Sequence, residues 1–257
     1  MVGVLSLLVG SVAYLISLDP VPPLRFIVVT EHGFRVDETA LTPLPSGATA
    51  MNGSHLAELA GRFHEADSAR IRETETYASV ADFLAETSAP IDENLVIYCA
   101  TDAWSVPGTE DFEKTALELL PAKLSNERIS FSTFLDGIKR RRSAQTVLLL
   151  ELTGRSPGLA TGCVADEITI QVKKEIDAAE IPGLTVICAS EKGERSWEFV
   201  AAAAAGAGTE STGQASPQGF RGTAFGHFIE RAFVEGNAQT ASQLYATLKT
   251  DVSQWVS

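Results

Sequence analysis

Four continuous apolar runs constrain this chain most. They are residues 26–30 (Phe-Ile-Val-Val-Thr), 94–100 (Asn-Leu-Val-Ile-Tyr-Cys-Ala), 146–152 (Thr-Val-Leu-Leu-Leu-Glu-Leu) and 184–190 (Leu-Thr-Val-Ile-Cys-Ala-Ser). None alternates cleanly with polar residues, so each reads as a strand buried on both faces. Amphipathic segments separate them. Leu56, Leu59, Ala60 and Phe63 share one helical face, as do Val80, Phe83 and Leu84. Further faces come from Phe131, Phe134, Leu135 and Ile138, and from Ile168, Val172 and Ile176. Helices are also expected at 222–235 and 239–252. Buried strands alternating with such helices predict an α/β fold, a mostly parallel sheet with helices on both faces.

The remaining segments fill this frame. Residues 70–76 are polar and fit a short edge strand. Residues 103–126 form a long connection with a helix-like patch at 116–120. Residues 201–221, rich in Ala, Gly, Ser and Thr, read as a flexible loop. At 257 residues and 45% hydrophobic content, the chain supports one large core. The net charge of −13 argues against nucleic-acid binding, which needs a basic footprint. The run Lys139-Arg140-Arg141-Arg142 ends a helix, where cations oppose the dipole.

Residues 1–18 carry no charged side chain. As a helix they span about 27 Å, close to a bilayer core. Asp19, Pro20, Pro22 and Pro23 then stop the helix and make a spacer over 19–24. An uncleaved single-pass anchor before a domain at 25–257 is favoured; a cleaved signal peptide is the rival reading. Arg25 and Arg35 follow the apolar stretch, which places the domain on the cytosolic side.

In open α/β sheets, binding residues gather beyond the carboxyl ends of the strands. Three runs end in small or polar residues: Ala100-Thr101-Asp102, Leu152-Thr153-Gly154 and Ala189-Ser190-Glu191. Cys99, Cys163 and Cys188 make neither a disulfide framework nor a zinc pattern. Nothing in the sequence calls for a cofactor. No HExxH, P-loop or GxGxxG motif is present.

Together these segments resemble the caspase and metacaspase family of cysteine endopeptidases, over roughly residues 25–239. Leu-Val-Ile-Tyr-Cys-Ala-Thr-Asp-Ala (95–103) matches a strand that in the family ends in Ser-Gly-His-Gly. Leu-Leu-Leu-Glu-Leu-Thr-Gly-Arg-Ser (148–156) matches one ending in Asp-x-Cys-His-Ser-Gly. Cys-Ala-Ser-Glu-Lys-Gly-Glu-Arg-Ser-Trp-Glu (188–198) and Thr-Ala-Phe-Gly-His-Phe-Ile-Glu-Arg (223–231) match two later segments. The anchor and proline spacer are similar to those of membrane-anchored caspase-like proteins of planctomycete-type bacteria.

The resemblance implies a histidine base where this chain has Asp102, and a cysteine nucleophile where it has Thr153. A cysteine peptidase needs a thiolate beside an imidazolium. A threonine hydroxyl is a far weaker acid, and a carboxylate titrating near ~4 is a poor base for it. The expectation is a membrane-tethered pseudoenzyme that holds a peptide or protein partner at the strand-end cleft. The alternative is an active endopeptidase with an unorthodox nucleophile. Its fallback residues are Cys163, at an expected helix start, and His32, just past the first strand. Glu151 stands where basic-specific relatives bind a substrate Arg or Lys. It is either a surviving cation pocket or a carboxylate paired internally with Arg155 or another cation. Arg155 and Glu198 are pocket remnants or surface charges.

Overall fold

The computed structural model describes residues 22–30, 47–86, 92–106, 116–120, 128–154, 167–189, 198–200, 221–236 and 240–256. The expected anchor at 1–18 and residues 19–21 of its spacer lie outside them. So do the expected loop residues 201–220. No helix among the described residues is long and apolar enough to cross a membrane.

The chain runs β1 (Leu24–Thr30), α1 (Gly47–Ala66), β2 (Glu75–Tyr77), α2 (Val80–Ala85), β3 (Asn94–Val106), β4 (Ala116–Leu120) and β5 (Ile129–Ser130). It continues through α3 (Phe131–Arg141), β6 (Thr146–Gly154), α4 (Glu167–Ala179), β7 (Leu184–Cys188), β8 (Glu198–Val200), β9 (Arg221–Thr223), α5 (Ala224–Val234) and α6 (Ala241–Val256). Five strands pair in parallel in the order β2-β1-β3-β6-β7. The expected α/β fold with a mostly parallel sheet is therefore present, and helices cover both faces.

Strand alternation sorts the core into two layers. On one face Ile27, Val29, Ile97, Cys99, Leu148 and Leu150 pack with Phe83 of α2, Phe134 and Ile138 of α3, and Val172 of α4. On the other, Phe26, Val28, Tyr98, Ala100 and Leu149 pack with Leu56 of α1, Phe225 and Ile229 of α5, and Leu248 of α6. Caps fix the helix starts. The Ser79 and Ser130 hydroxyls accept from Asp82 N and Thr133 N at the starts of α2 and α3.

Several expectations need correction. The patch at 116–120 is a strand, not a helix. Ala, Leu and Glu favour helix, but Leu117 and Leu119 are both buried at a spacing of two. Long-range pairing overrides the local preference: β4 runs antiparallel to β3 at Asp102–Val106 and to β5 at Ile129–Ser130. One register step further, β5 has given way to α3. There the Leu117 N–H is taken by Glu175 Oε1 of α4 at 2.9 Å.

The strand expected to end at Ala100 runs on to Val106. Residues 102 and 103 pair with β6 on one side and β4 on the other, so β4 continues the sheet on the β1 side. In the polar stretch at 70–76, Ile71 makes only an isolated bridge to Leu24, and β2 starts at Glu75. The expected loop gives way at Arg221 to β9, which pairs with β8 before α5 begins at Ala224.

Candidate functional site

The site grows from the register of β3 and β6. Tyr98 pairs with Leu149, Ala100 with Glu151, and Asp102 with Thr153. The two positions that the resemblance matches to base and nucleophile are thus direct Cα partners in neighbouring strands. Both lie inside strands rather than in turns beyond them. Position 102 is also paired with Leu120 of β4.

Two residues before this pair, Glu151 is 2% exposed. Its direct neighbour across the ladder is Ala100, whose small side chain leaves room for the diagonal Tyr98 to reach over. The Tyr98 hydroxyl donates to Glu151 Oε2 at 2.6 Å. Burial, with the Glu151 carboxylate beside it, pushes the Tyr98 hydroxyl well above its ordinary range and keeps it a donor. Asn52 of α1 hydrogen-bonds the Tyr98 hydroxyl from the helix side and opposes that rise.

Asn52 also ties this pair to the carboxyl-terminal part of the chain. Its Nδ2 donates to Thr223 Oγ1 at 2.5 Å. Thr223 is the N-cap of α5, and the same oxygen accepts from Gly226 N at 3.1 Å. Gly226 is required by this close approach, because a Cβ there would lie 2.1 Å from Asn52 Nδ2. Asn52, Tyr98, Glu151 and Thr223 are all buried, so each hydrogen bond replaces water that the site excludes.

A described partner of the Glu151 carboxylate is the internal Tyr98 hydroxyl, and burial closes the carboxylate to solvent. Arg155, the cation that the sequence offered as its partner, lies outside the described residues. Tyr98 interrupts the apolar run Leu-Val-Ile-Tyr-Cys, and that interruption is the signal that marks it. Thr223, three residues before Gly226 at a helix start, was legible as a cap. Asn52 gave no signal, because its role depends on strands far away in sequence.

Of the other candidates, His32, Arg155 and Cys163 lie outside the described residues. Glu198 starts β8, whose register partner is Thr223 of β9. Cys99 is fully buried, as expected. Burial pushes the Cys188 thiol up to about 11, which leaves it a poor nucleophile at neutral pH. Cys99 pairs with Leu150 and Leu150 with Cys188, so the two thiols are separated by a whole strand. At roughly 10 Å between Cα atoms they are beyond disulfide reach. Both pack in the core layer on the α2–α4 side, opposite to Tyr98.

The described histidines are likewise accounted for by local partners. His64 Nδ1 lies 2.7 Å from the Ile71 carbonyl, and His55 Nδ1 lies 3.7 Å from Glu230 Oε2. Burial, with Arg231 adding to it and Glu230 opposing it, lowers the pKa of His227. Among the described residues no group of three His, Cys, Asp or Glu side chains is placed to hold a metal.

No family model matches the chain, and no curated protein matches it. Among solved structures, the chain is similar to the crystal structure of protein GSU0716 from Geobacter sulfurreducens. The TM-score is 0.45 at 10% identity, over 88% of each chain.

Proposed function

We propose that this is a caspase-like domain that has lost peptidase chemistry and acts as a binding or scaffolding module, tethered to a membrane by residues 1–18, with the domain on the cytosolic side. One observation carries the reading: Asp102 and Thr153 are register partners in adjacent strands. The two positions that the resemblance assigns to base and nucleophile are side by side, which supports the alignment behind it. They hold a carboxylic acid and a secondary alcohol. That pairing lacks a base matched to the alcohol, because a carboxylate near ~4 cannot hold a useful fraction of an alkoxide. The partner is a peptide or protein segment lying along the strand ends, where main-chain hydrogen bonding gives affinity without chemistry.

The test uses the full-length chain and electrophilic peptidyl probes ending in Arg, Lys or Asp. The expected result is no covalent labelling of the wild type. Labelling at Thr153 or Cys163 would establish the endopeptidase alternative instead. The double substitution Asp102→His with Thr153→Cys sharpens the test, since gain of labelling at position 153 is expected if these two positions inherit the dyad geometry.

A further inference from the structure

We propose that the carboxyl end of α3 rests on anionic lipid headgroups, so that the domain leans toward the bilayer on its α2–α4 side. The proposal rests on the membrane-tethered reading and names the surface that the tether brings to the lipid. Residues 22 and 23 are already held by the sheet. The Asn94 N–H donates to the Pro23 carbonyl at 2.8 Å, and Asn94 Nδ2 donates to the Pro22 carbonyl at 3.4 Å. Four steps of chain lead from Leu18 to Pro22, and they span at most about 14 Å. With residues 1–18 in the bilayer, the amino-terminal ends of the strands are the part of the domain held nearest to it. Lipid charge is screened over about 8 Å in physiological salt, so it is still felt across such a gap. The turn after α3 belongs to this same end, because the Leu95 N–H donates to the Gln145 carbonyl at 2.8 Å.

The two sides of the sheet offer unlike charge there. On the α2–α4 side, Lys139, Arg140 and Arg142 are exposed where α3 ends. Arg140 and Arg142 have no ion-pair partner among the described residues, and Lys139 Nζ donates to the Ala179 carbonyl at 2.8 Å. The acids beside them are Glu180, just past α4, and Glu86, which holds the Tyr77 hydroxyl. From the end of α1 to β2, by contrast, Glu65, Asp67 and Glu73 offset Arg62, Arg70 and Arg72. Arg70 is paired there with Asp67, and Arg72 with Glu93. A free chain of net charge −13 is repelled by an anionic surface as a whole. The tether overrides that repulsion by proximity, and the local excess of cations at the α3 corner then decides which side turns toward the lipid.

The experiment measures quenching of a cysteine-linked fluorophore by a headgroup-labelled lipid, on the full-length chain in nanodiscs. Cys99 and Cys188 pack in the core, so Cys163→Ser leaves one introduced thiol for the label. Ala144→Cys places it beside the α3 corner and Ser68→Cys beside the end of α1, both at exposed positions. With about a third phosphatidylserine and about 0.15 M salt, quenching at 144 is expected to exceed that at 68 about threefold. In phosphatidylcholine alone, or at about 0.5 M salt, the excess should fall below about 1.5-fold. The combined Lys139→Gln, Arg140→Gln and Arg142→Gln variant should lose it in the same way. Equal quenching at the two positions with phosphatidylserine overturns the proposal. So does an excess that persists in phosphatidylcholine, because the spacer and not the cations would then set the lean. The comparison of lipids needs no charge variant to fold. A chain that leaves both kinds of nanodisc in a salt wash overturns the tethered reading and the proposal with it, whereas a retained chain without a lipid-dependent lean overturns the proposal alone.

Discussion

At the amino-terminal ends of the strands, charged side chains neutralise one another, from half-exposed Arg72 inward to buried Arg141. Arg25 of β1 donates to Glu93 at 2.6 Å and also bridges Glu75. Arg72 reaches Glu93 at 3.1 Å. Arg141, at the end of α3, reaches Glu75 at 3.3 Å and the Tyr77 hydroxyl at 3.3 Å, with its guanidinium 4.6 Å from the Phe83 ring centre. At the carboxyl-terminal ends, Asn52, Tyr98, Glu151 and Thr223 form a buried chain of hydrogen bonds with a single carboxylate among them. The first arrangement staples β2 and α3 to β1 by opposite charge. The second specifies where α1 and α5 sit on the sheet by donor and acceptor geometry. A fold of this class places its site at the second end, and that is where the polar groups are withdrawn from water.

The largest effect that separates the two ends is expected at Arg141. Arg141→Met keeps a long side chain at this position but removes the guanidinium from over the Phe83 ring, and it leaves Glu75 with one cation fewer and the Tyr77 hydroxyl without this donor. Breaking a buried pair from one side costs about 3 kcal/mol. The urea midpoint should fall accordingly, and an unchanged midpoint would show that the staple is ornamental. Asn52→Leu at the other end is expected to cost less, about 2 kcal/mol. It leaves the Tyr98 and Thr223 hydroxyls with one partner fewer each, while a similar volume is kept.

A third substitution tests whether the carboxyl-end groups act as a unit. Gly226→Ala places a methyl against Asn52 Nδ2, an overpacking expected to cost about 2 kcal/mol although alanine favours helix. Combined with Asn52→Ala, the contacts to Nδ2 and Cγ at 2.1 and 2.3 Å are removed while that to Cβ at 2.8 Å remains, so the overlap is relieved in part. The double variant should then be more stable than the sum of the singles by about 1 kcal/mol. Additivity would mean that the two residues do not share one space.

The contrast also explains what the sequence could reveal. β1, β3 and β6 were legible because their apolar runs are buried on both faces, whereas β7, expected to be buried likewise, pairs only with β6 among the described strands and is buried at Ile187 alone. β4 was not legible, because Ala-Leu-Glu-Leu-Leu satisfies a helix and a strand equally until β3 and β5 flank it. The continuation of β3 through Thr101, Asp102 and Ala103 was hidden for the same reason: small and polar residues look like a strand end unless a partner lies on each edge. At the site, the chemical types at positions 102, 151 and 153 were readable from a resemblance. Their register, and the tyrosine that fills Glu151, depend on pairings across about 50 residues and could not be read from local spacing.

The smallest expected effect is a pH dependence that should divide the two ends. His227 lies on α5, and burial holds its pKa below the ordinary 6.5. Its unfolded form therefore binds protons more readily than its folded form. The stability it leaves intact is fully present above 6.5 and declines as pH falls through that value toward the folded pKa. Glu75 belongs to the amino-terminal end. Burial pulls its carboxyl up, but the Tyr77 hydroxyl, Arg25 and Arg141 outweigh that and set it below the ordinary 4.5. Its contribution is present above 4.5 and is lost as pH falls through the lower folded value. Thermal midpoints measured from pH 7.5 down to 3.5 should thus show a shallow loss beginning near 6.5 and a further one below 4.5. His227→Gln is expected to flatten only the first, and Glu75→Gln, at a cost in absolute stability, only the second. If His227→Gln leaves the slope between pH 7.5 and 5.5 untouched, the half-buried imidazole is not what links α5 to acid, and the two ends do not differ in this respect.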